Sequence, residues 1–383
     1  MRWVRFGRDA APRFTAFGVL TPAGVGTGPL AGAGPSARIG PDAPIGPRAP
    51  VGPRPAEVTI ALPALCDEPP IRFRRLDRYG ELGYAAARLA LRALPAGGRP
   101  PLEAAETADP GPGVADPGIG VLLGSSLACW ASNVRHHRES RGPAATQASP
   151  ATFVRTVANA VNGDLSIALR LGGPGALFAS GWTAGSEAIM AAASVLAEGR
   201  ARAVLAGGVE APGPDLRVMH AGGDTQTAGR WFSGLLAEGA AIAMMESAAG
   251  TARDTEPARD TEPARDAGPA RDARRAGPLR LHAYGRAHDP EQRISLAMLL
   301  DAPAPIPFGL VVVANTMPSE FLERARVAAA PRPVLHLPDR TGELGAAGAP
   351  AAVALASALA GAEGVLVVAR DLAGGVAALA LGR

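Results

Sequence analysis

The segment 173–210 holds the residues best placed for chemistry. An apolar strand is followed by a turn of small residues around Trp182, an alanine-rich helix, and a second strand that ends at Glu210. A strand-to-helix turn of this kind presents one side chain at a helix N-terminus, where the macrodipole favours an anion such as a thiolate. The turn contains no cysteine. Because an indole cannot be acylated, the segment predicts a turn suited to a nucleophile but lacking one.

The cysteines and histidines elsewhere do not supply an obvious replacement. The two cysteines, Cys66 and Cys129, lie outside the segment. We expect Cys129 on a strand-to-loop segment, with no helix N-terminus to activate its thiol. Two cysteines cannot build a disulfide framework, and neither has the spacing of a metal ligand. The six histidines are scattered. The sequence therefore predicts no metal site.

Composition limits the possible functions. Hydrophobic residues make up 47% of the 383 residues but aromatics only 4%, so we expect a core of alanine, valine and leucine. The net charge is +3 and the chain contains no lysine. No compact basic stripe with interleaved aromatics is present, which argues against nucleic-acid binding. The first residues lack a signal-peptide core, and the longest apolar runs are too short to span a bilayer. We expect a cytoplasmic protein that does not enter the membrane.

Hydrophobic spacing and Pro/Gly punctuation predict the elements. Strands and helices alternate, which is typical of an α/β sheet with helices on both faces. Two hexapeptide repeats, at 39–56 and 251–277, are rich in proline, and the second has mixed charge and no large apolar residue, so we interpret them as an extended loop and a disordered linker. Strands are predicted at 13–24, 119–126, 233–246, 309–318 and 364–382 (two, joined by a turn at 370–375), and helices at 76–94, 149–169, 319 onward and up to 360.

Several of these motifs together resemble the β-ketoacyl synthases, condensing enzymes of the thiolase fold. The resemblance rests on the 173–210 segment, the Ser149-Pro150 helix start and the Gly345-Ala-Ala-Gly348 helix start. It implies a thiolase-like α/β fold with layered α/β/α/β/α architecture and two similar halves. The implied organisation is a tail at 1–12, an N-terminal half at 13–250, the linker at 251–277 and a C-terminal half at 278–383.

The resemblance also implies where the catalytic residues belong. Members of the family use one cysteine and two histidines, and the matching positions here hold Trp182, Ala314 and Glu343. Decarboxylative condensation needs an acyl-accepting thiolate and donors for the enolate and oxyanion. We therefore expect no intact catalytic residue. The glycine turn near the former site matches Gly374 and Gly375, and Thr316 matches the pantetheine side.

Partners and function follow from the same resemblance. The helix carrying Phe153, Asn159 and Leu165 matches the region near the family's dimer interface. A non-catalytic branch, the chain-length factors, pairs with an active ketosynthase and shapes its tunnel. This predicts an accessory subunit that is inactive alone and forms a heterodimer with a catalytic ketosynthase, or pairs with itself. An acyl carrier protein is the other expected partner, its phosphopantetheine arm a possible ligand, and no cofactor is expected. Two alternatives remain: an acyltransferase or decarboxylase acting on carrier-protein thioesters, and a degraded paralogue.

Overall fold

A computed structural model describes most of the two predicted halves. The proline-rich repeat at 39–56 and the charged repeat at 251–277 lie outside the described residues. The described residues are 2–7, 10–26, 57–94, 115–141, 148–213, 216, 236–248, 278–289, 294, 298–299, 307–315, 319–341, 343–359, 363–371 and 374–383.

The described strands form one continuous set of paired strands in two parts. The N-terminal part has the order β5-β4-β6-β7-β2, and the C-terminal part has the order β8-β12-β11-β9-β10. A short antiparallel pairing of β2 with β8, at Arg13 and Phe14, joins them. The strands are β1 Arg2–Arg5, β2 Arg13–Thr21, β3 Gly24–Val25, β4 Ile119–Gly124, β5 Gly175–Phe178, β6 Ala203–Glu210, β7 Gly239–Glu246, β8 Leu279–His288, β9 Phe308–Val313, β10 Val334–His336, β11 Gly364–Arg370 and β12 Gly375–Gly382.

The helices cover both faces of each part. Two of them, α7 and α10, are each preceded by a 3₁₀ turn, at Gly181–Thr183 and Gly345–Ala347. The helices are α1 Leu62–Cys66, α2 Pro70–Phe73, α3 Arg78–Arg92, α4 Trp130–Ser140, α5 Pro150–Phe153, α6 Ala160–Ala168, α7 Ala184–Ala197, α8 Ser319–Ala329, α9 Pro338–Thr341 and α10 Gly348–Leu359. The repeated arrangement of turn and helix is the clearest likeness between the two halves.

Three packed clusters define the layers. The first cluster packs α7 and α10 against strands of both parts, so these two helices lie between them. The second places α3 and α6 on the other face of the N-terminal part, and the third places α8 on the outer face of the C-terminal part. The layer order is α/β/α/β/α, which confirms the predicted thiolase-like architecture.

Small residues make the central layer possible. Helices α7 and α10 are apolar on nearly every side, as expected for helices enclosed between two sheets. Strands β4, β6 and β11 are buried along their whole length, and apart from Glu210 at the end of β6 and Arg370 at the end of β11 they consist of apolar residues and glycine. On the outer side, a Cβ on Gly18 of β2 would lie 1.8 Å from the carbonyl oxygen of Ala86, so α3 rests directly on the strand.

Two sequence predictions differ from the structure. Residues 1–12, predicted to be a tail, contribute β1, which pairs antiparallel with β8. Phe6 follows that strand and its ring lies 5.9 Å from the ring of Tyr284, so apolar contact holds the segment on the sheet. The single helix predicted over 149–169 is wrong, because α5 ends at Phe153 and α6 begins at Ala160. Between them, 3₁₀-type bonds such as Arg155 N–H to Thr152 O replace the α-helical pattern.

Candidate functional site

The turn around Trp182 lies at the end of β5 and the start of α7. Gly181 adopts a φ of 85°, and a Cβ there would lie 3.0 Å from Oδ2 of Asp371, so a larger residue would be strained and crowded. The indole of Trp182 is buried, with 5% exposure. A fully buried tryptophan covers about 150–250 Å². The bulkiest side chain of the turn therefore fills the position where a nucleophile was expected.

Glu343 lies just before the second 3₁₀ turn, Gly345–Ala347, and its side chain contacts the backbone of that turn. The carboxylate is fully buried, and its Oε1 accepts hydrogen bonds from the Gly345 N–H at 2.7 Å and from Nδ2 of Asn315 at 3.0 Å. The Glu343 carbonyl oxygen accepts from the Ala237 N–H at 2.8 Å, which ties the turn to the N-terminal half. The Oε1 atom of Glu343 therefore accepts hydrogen bonds that stabilise the fold.

The third position, Ala314, follows β9 directly. Its methyl group is buried and carries no proton to donate. The neighbouring Asn315 donates a second hydrogen bond from Nδ2 to the Gly345 carbonyl oxygen at 2.9 Å. A Cβ on Gly348 would lie 2.6 Å from the Ala314 carbonyl oxygen, so α10 begins in close contact with this strand end. The predicted pantetheine-side residue, Thr316, lies outside the described residues.

The glycine turn at Gly374 and Gly375 contacts the Trp182 turn through a carboxylate. Gly374 has a φ of 93°, as its place in the tight turn requires. Asp371 accepts from the Gly375 N–H at 2.7 Å and from the Thr183 hydroxyl at 3.4 Å. The structure therefore brings the Trp182, Ala314, Glu343 and glycine-turn segments together.

The sequence prediction assigned no role to Glu210, which ends β6. Its fully buried carboxylate accepts from the hydroxyls of Ser125 and Ser126 and from the N–H groups of Ser126, Leu127 and Ala346. Burial raises the pKa of Glu210, and the donors at Ser126, Ala346 and Leu127 oppose that rise. The sequence contained one signal that could have found this residue, because Glu210 is an acidic residue at the end of an otherwise apolar strand. Glu210 joins the β4 end to the second turn.

Cys129 lies in a different place from the one predicted, but its thiol is still poorly suited to act as a nucleophile. It is the N-cap residue of α4, so a helix N-terminus does follow it. Its thiol is nevertheless buried, it donates to the Thr156 carbonyl oxygen at 3.1 Å, and burial raises its pKa. Burial likewise raises the pKa of Cys66 to about 11. A thiol with a raised pKa is a poor nucleophile at neutral pH.

The three residues predicted for the interface helix occupy different environments. Phe153, the last residue of α5, is 58% exposed, and Asn159 is the exposed N-cap residue of α6. Leu165 is fully buried in the core with α3, so within the predicted interface helix it lies on the inner side of α6 and not on the surface. The exposed apolar neighbours that the prediction missed are Val154 at 54%, Val157 at 50% and Ile167 at 81%.

The chemistry open to this arrangement is narrow. The described residues of the four converging segments include neither cysteine nor histidine. Across the part of the chain that the structure covers, histidine, cysteine and carboxylate side chains nowhere gather in a group of three able to hold a metal ion. None of the helices described is both long and apolar enough to cross a bilayer. The segments form a filled, hydrogen-bonded junction between the two halves.

Comparisons with known proteins identify what this fold is similar to. Residues 71–222 match the family model "Beta-ketoacyl synthase, N-terminal domain". No curated protein matches the chain. The ishigamide ketosynthase/chain length factor has a TM-score of 0.67 at 19% identity, over 97% of this chain and 99% of that one.

Two further solved structures agree. A type II polyketide synthase acyl-carrier protein in complex with its ketosynthase, bound to the hexaketide, gives a TM-score of 0.68 at 16% identity, over 97% of this chain and 99% of the matched chain. A β-ketoacyl synthase from Burkholderia phymatum gives 0.63 at 17% identity, over 98% and 99%. At these identities the likeness establishes the fold.

Proposed function

We propose that this thiolase-like, β-ketoacyl synthase-related chain is a subunit that does not itself condense acyl groups. It pairs in the cytoplasm with a catalytic ketosynthase, as a chain length factor does, and influences product length in fatty-acid, polyketide or aryl-polyene synthesis. The observation that carries the proposal is the indole of Trp182, buried at the start of α7.

The three expected catalytic positions each lack a required property. Trp182 has no sulfur or oxygen to accept an acyl group. The Ala314 side chain has no N–H to stabilise an enolate or an oxyanion, and its backbone N–H already donates to the Val368 carbonyl oxygen at 2.8 Å. Glu343 is an acceptor, and its Oε1 already binds Gly345 and Asn315. An acyl chain delivered on a carrier protein's phosphopantetheine arm therefore has no group on these residues to receive it.

The exposed apolar surface favours a partner over a degraded chain. Phe153, Val154, Val157 and Ile167 are each at least half exposed, and they lie on neighbouring parts of α5, α6 and the segment between them. Exposed apolar patches mark interaction sites in soluble proteins, and these four side chains fall within one stretch, 153–167. Strand β5, at the end of the strand order, is held beneath this surface by Asn162, whose Nδ2 donates to the Ala176 carbonyl oxygen at 2.8 Å.

Reconstitution with a ketosynthase subunit and a malonyl-loaded carrier protein tests the proposal. We expect the chain alone to release no carbon dioxide and form no condensation product. Adding it to the ketosynthase should shift the distribution of product lengths measured by mass spectrometry. The variant Phe153→Asp should lose this effect. Ile71→Asp is a matched control, because Ile71 is 60% exposed and belongs to α2, which is not part of these segments.

Two outcomes would contradict the proposal. Release of carbon dioxide by the chain alone would indicate an independent decarboxylase. An unchanged product distribution, together with equal behaviour of the two aspartate variants, would leave no accessory role.

A further inference from the structure

The surface beside β5 has a charge as well as an apolar centre. We define the pairing face as residues 130–141 (α4 with its C-cap residue Arg141), residues 148–170 and the outer edge of β5. Its apolar centre contains Phe153, with the ring of His136 on α4 at 5.5 Å. Glu139 of α4 accepts from the Ser149 N–H at 3.3 Å, so α4 and the start of α5 form one surface. Charges on α4 therefore border the same apolar centre.

Basic residues outnumber acidic ones on this face. Among its described residues, five arginines face two carboxylates, those of Glu139 and Asp164. Both carboxylates are already bound to arginines of the same face: Glu139 to Nε of Arg135 at 2.8 Å, and Asp164 to Arg155. Arg138 and Arg141 lie exposed toward the C-terminal end of α4. The face therefore presents net positive charge to a partner.

The positive charge of the pairing face bears on whether its partner is a second copy of this chain or a different protein. A two-fold contact places the same patch of both subunits together, so each basic residue meets a basic surface. Like charges brought together at an interface oppose association, whereas complementary charges steer and select partners. We infer that the pairing face takes a non-identical protein whose matching rim is rich in carboxylates, and disfavours a second copy of this chain. This inference rests on the proposed function, because it names the partner's chemistry at the same surface.

The inference can be tested without knowing the partner. The double variant Arg138→Glu/Arg141→Glu leaves three arginines against four carboxylates on the face, so it supplies an acidic version of the same apolar surface. We expect the unmodified chain to be monomeric by sedimentation at about 0.1 M salt, where the Debye length is about 10 Å. Mixed with the double variant, it should associate at least about tenfold more tightly than with itself. The gain should largely disappear at about 1 M salt, where the Debye length is about 3 Å.

A second charge-reversed variant controls for net charge. Arg5→Glu/Arg324→Glu makes the same change on β1 and α8, both exposed and both outside the pairing face. Mixing it with the unmodified chain should produce no added association. Circular dichroism confirms that each variant is folded. A salt-insensitive dimer of the unmodified chain, as tight as the mixed pair, would overturn the inference. Since no acyl chemistry is measured, that result leaves the product-length test of the proposed function independent.

Discussion

Replacing Trp182 by alanine tests the central feature of the site. The side chain is 5% exposed, so nearly all of its area is removed from water in the folded protein. Burying about 150–250 Å² at about 25 cal/mol per Å² corresponds to about 4–6 kcal/mol. Core tryptophan-to-alanine changes cost about 3–5 kcal/mol. Because Gly181 and Gly185 hold the turn tightly against Asp371 and Ala346, little collapse into the cavity is available. We expect a loss of about 3–5 kcal/mol.

Urea denaturation followed by circular dichroism measures that loss. Trp130→Ala is the matched control, because Trp130 is 37% exposed at the start of α4. Its alanine variant should lose clearly less stability, since less area is buried and solvent can fill the space. A loss below about 1 kcal/mol for Trp182→Ala, or a loss equal to that of Trp130→Ala, would refute the argument that the indole fills the site.

Three further predictions concern other buried groups. Glu343→Leu should cost about 2–5 kcal/mol by urea denaturation, because two buried donors lose their acceptor, and Glu343→Gln, which keeps one oxygen acceptor, should cost less; equal losses would contradict the assigned hydrogen bonds. Iodoacetamide should modify Cys129 and Cys66 slowly at neutral pH, because burial raises the pKa of both thiols and lowers the fraction present as thiolate. The rate should increase as the pH rises, and for Cys66 it should increase until the pH reaches the thiol pKa of about 11. Fast labelling of the folded protein at pH 7 would disprove this. Asn162→Ala should increase the rate of amide hydrogen exchange at Leu177 in β5 more than it increases the rate in β11. The reason is that the Asn162 amide donates to the carbonyl oxygens of both Val121 in β4 and Ala176 in β5. Uniform acceleration would instead indicate global destabilisation.

Much of the fold was predictable because local patterns and the tertiary structure agree. The Gly173–Glu210 segment forms the predicted strand, turn, helix and strand, and the 76–94 helix appears as α3, Arg78–Arg92. Asp77 caps that helix by accepting from the Gly80 N–H at 2.9 Å. Buried strands with continuous apolar residues are visible in sequence, because both of their faces are covered.

The sequence predictions failed where distant contacts decide the structure. Strand β1 exists because β8, more than 270 residues away, offers a pairing edge, and its own four residues carry little signal. The break between α5 and α6 occurs in the segment 154–159, where an apolar helical pattern continues although the backbone does not. Leu165 shows the same limit at the level of one residue: helical spacing indicates an apolar face, but only packing against α3 shows that this side chain points inward.

At the candidate site, the sequence predicted which catalytic side chains are absent, but not what the residues at those positions do in the fold. Glu343 illustrates the difference. A carboxylate can act as a general base in other proteins, yet in this structure the Oε1 of Glu343 accepts hydrogen bonds from Gly345 and Asn315. Glu210, which the sequence interpretation passed over, accepts five hydrogen bonds and contacts the same second turn. Hydrogen-bond satisfaction of a buried carboxylate depends on donors far apart in sequence, so no local pattern reports it.

These replacements make the site costly to reverse. Restoring a cysteine at Trp182 would empty the space filled by the indole. Restoring a histidine at Glu343 would remove a carboxylate acceptor from two buried donors. A single substitution toward the family pattern therefore loses stability without completing the catalytic set, since the other positions still lack their groups. The packing and hydrogen bonds of these residues also hold the two halves of the fold together, and this coupling supports the proposal that the chain acts through its outer face.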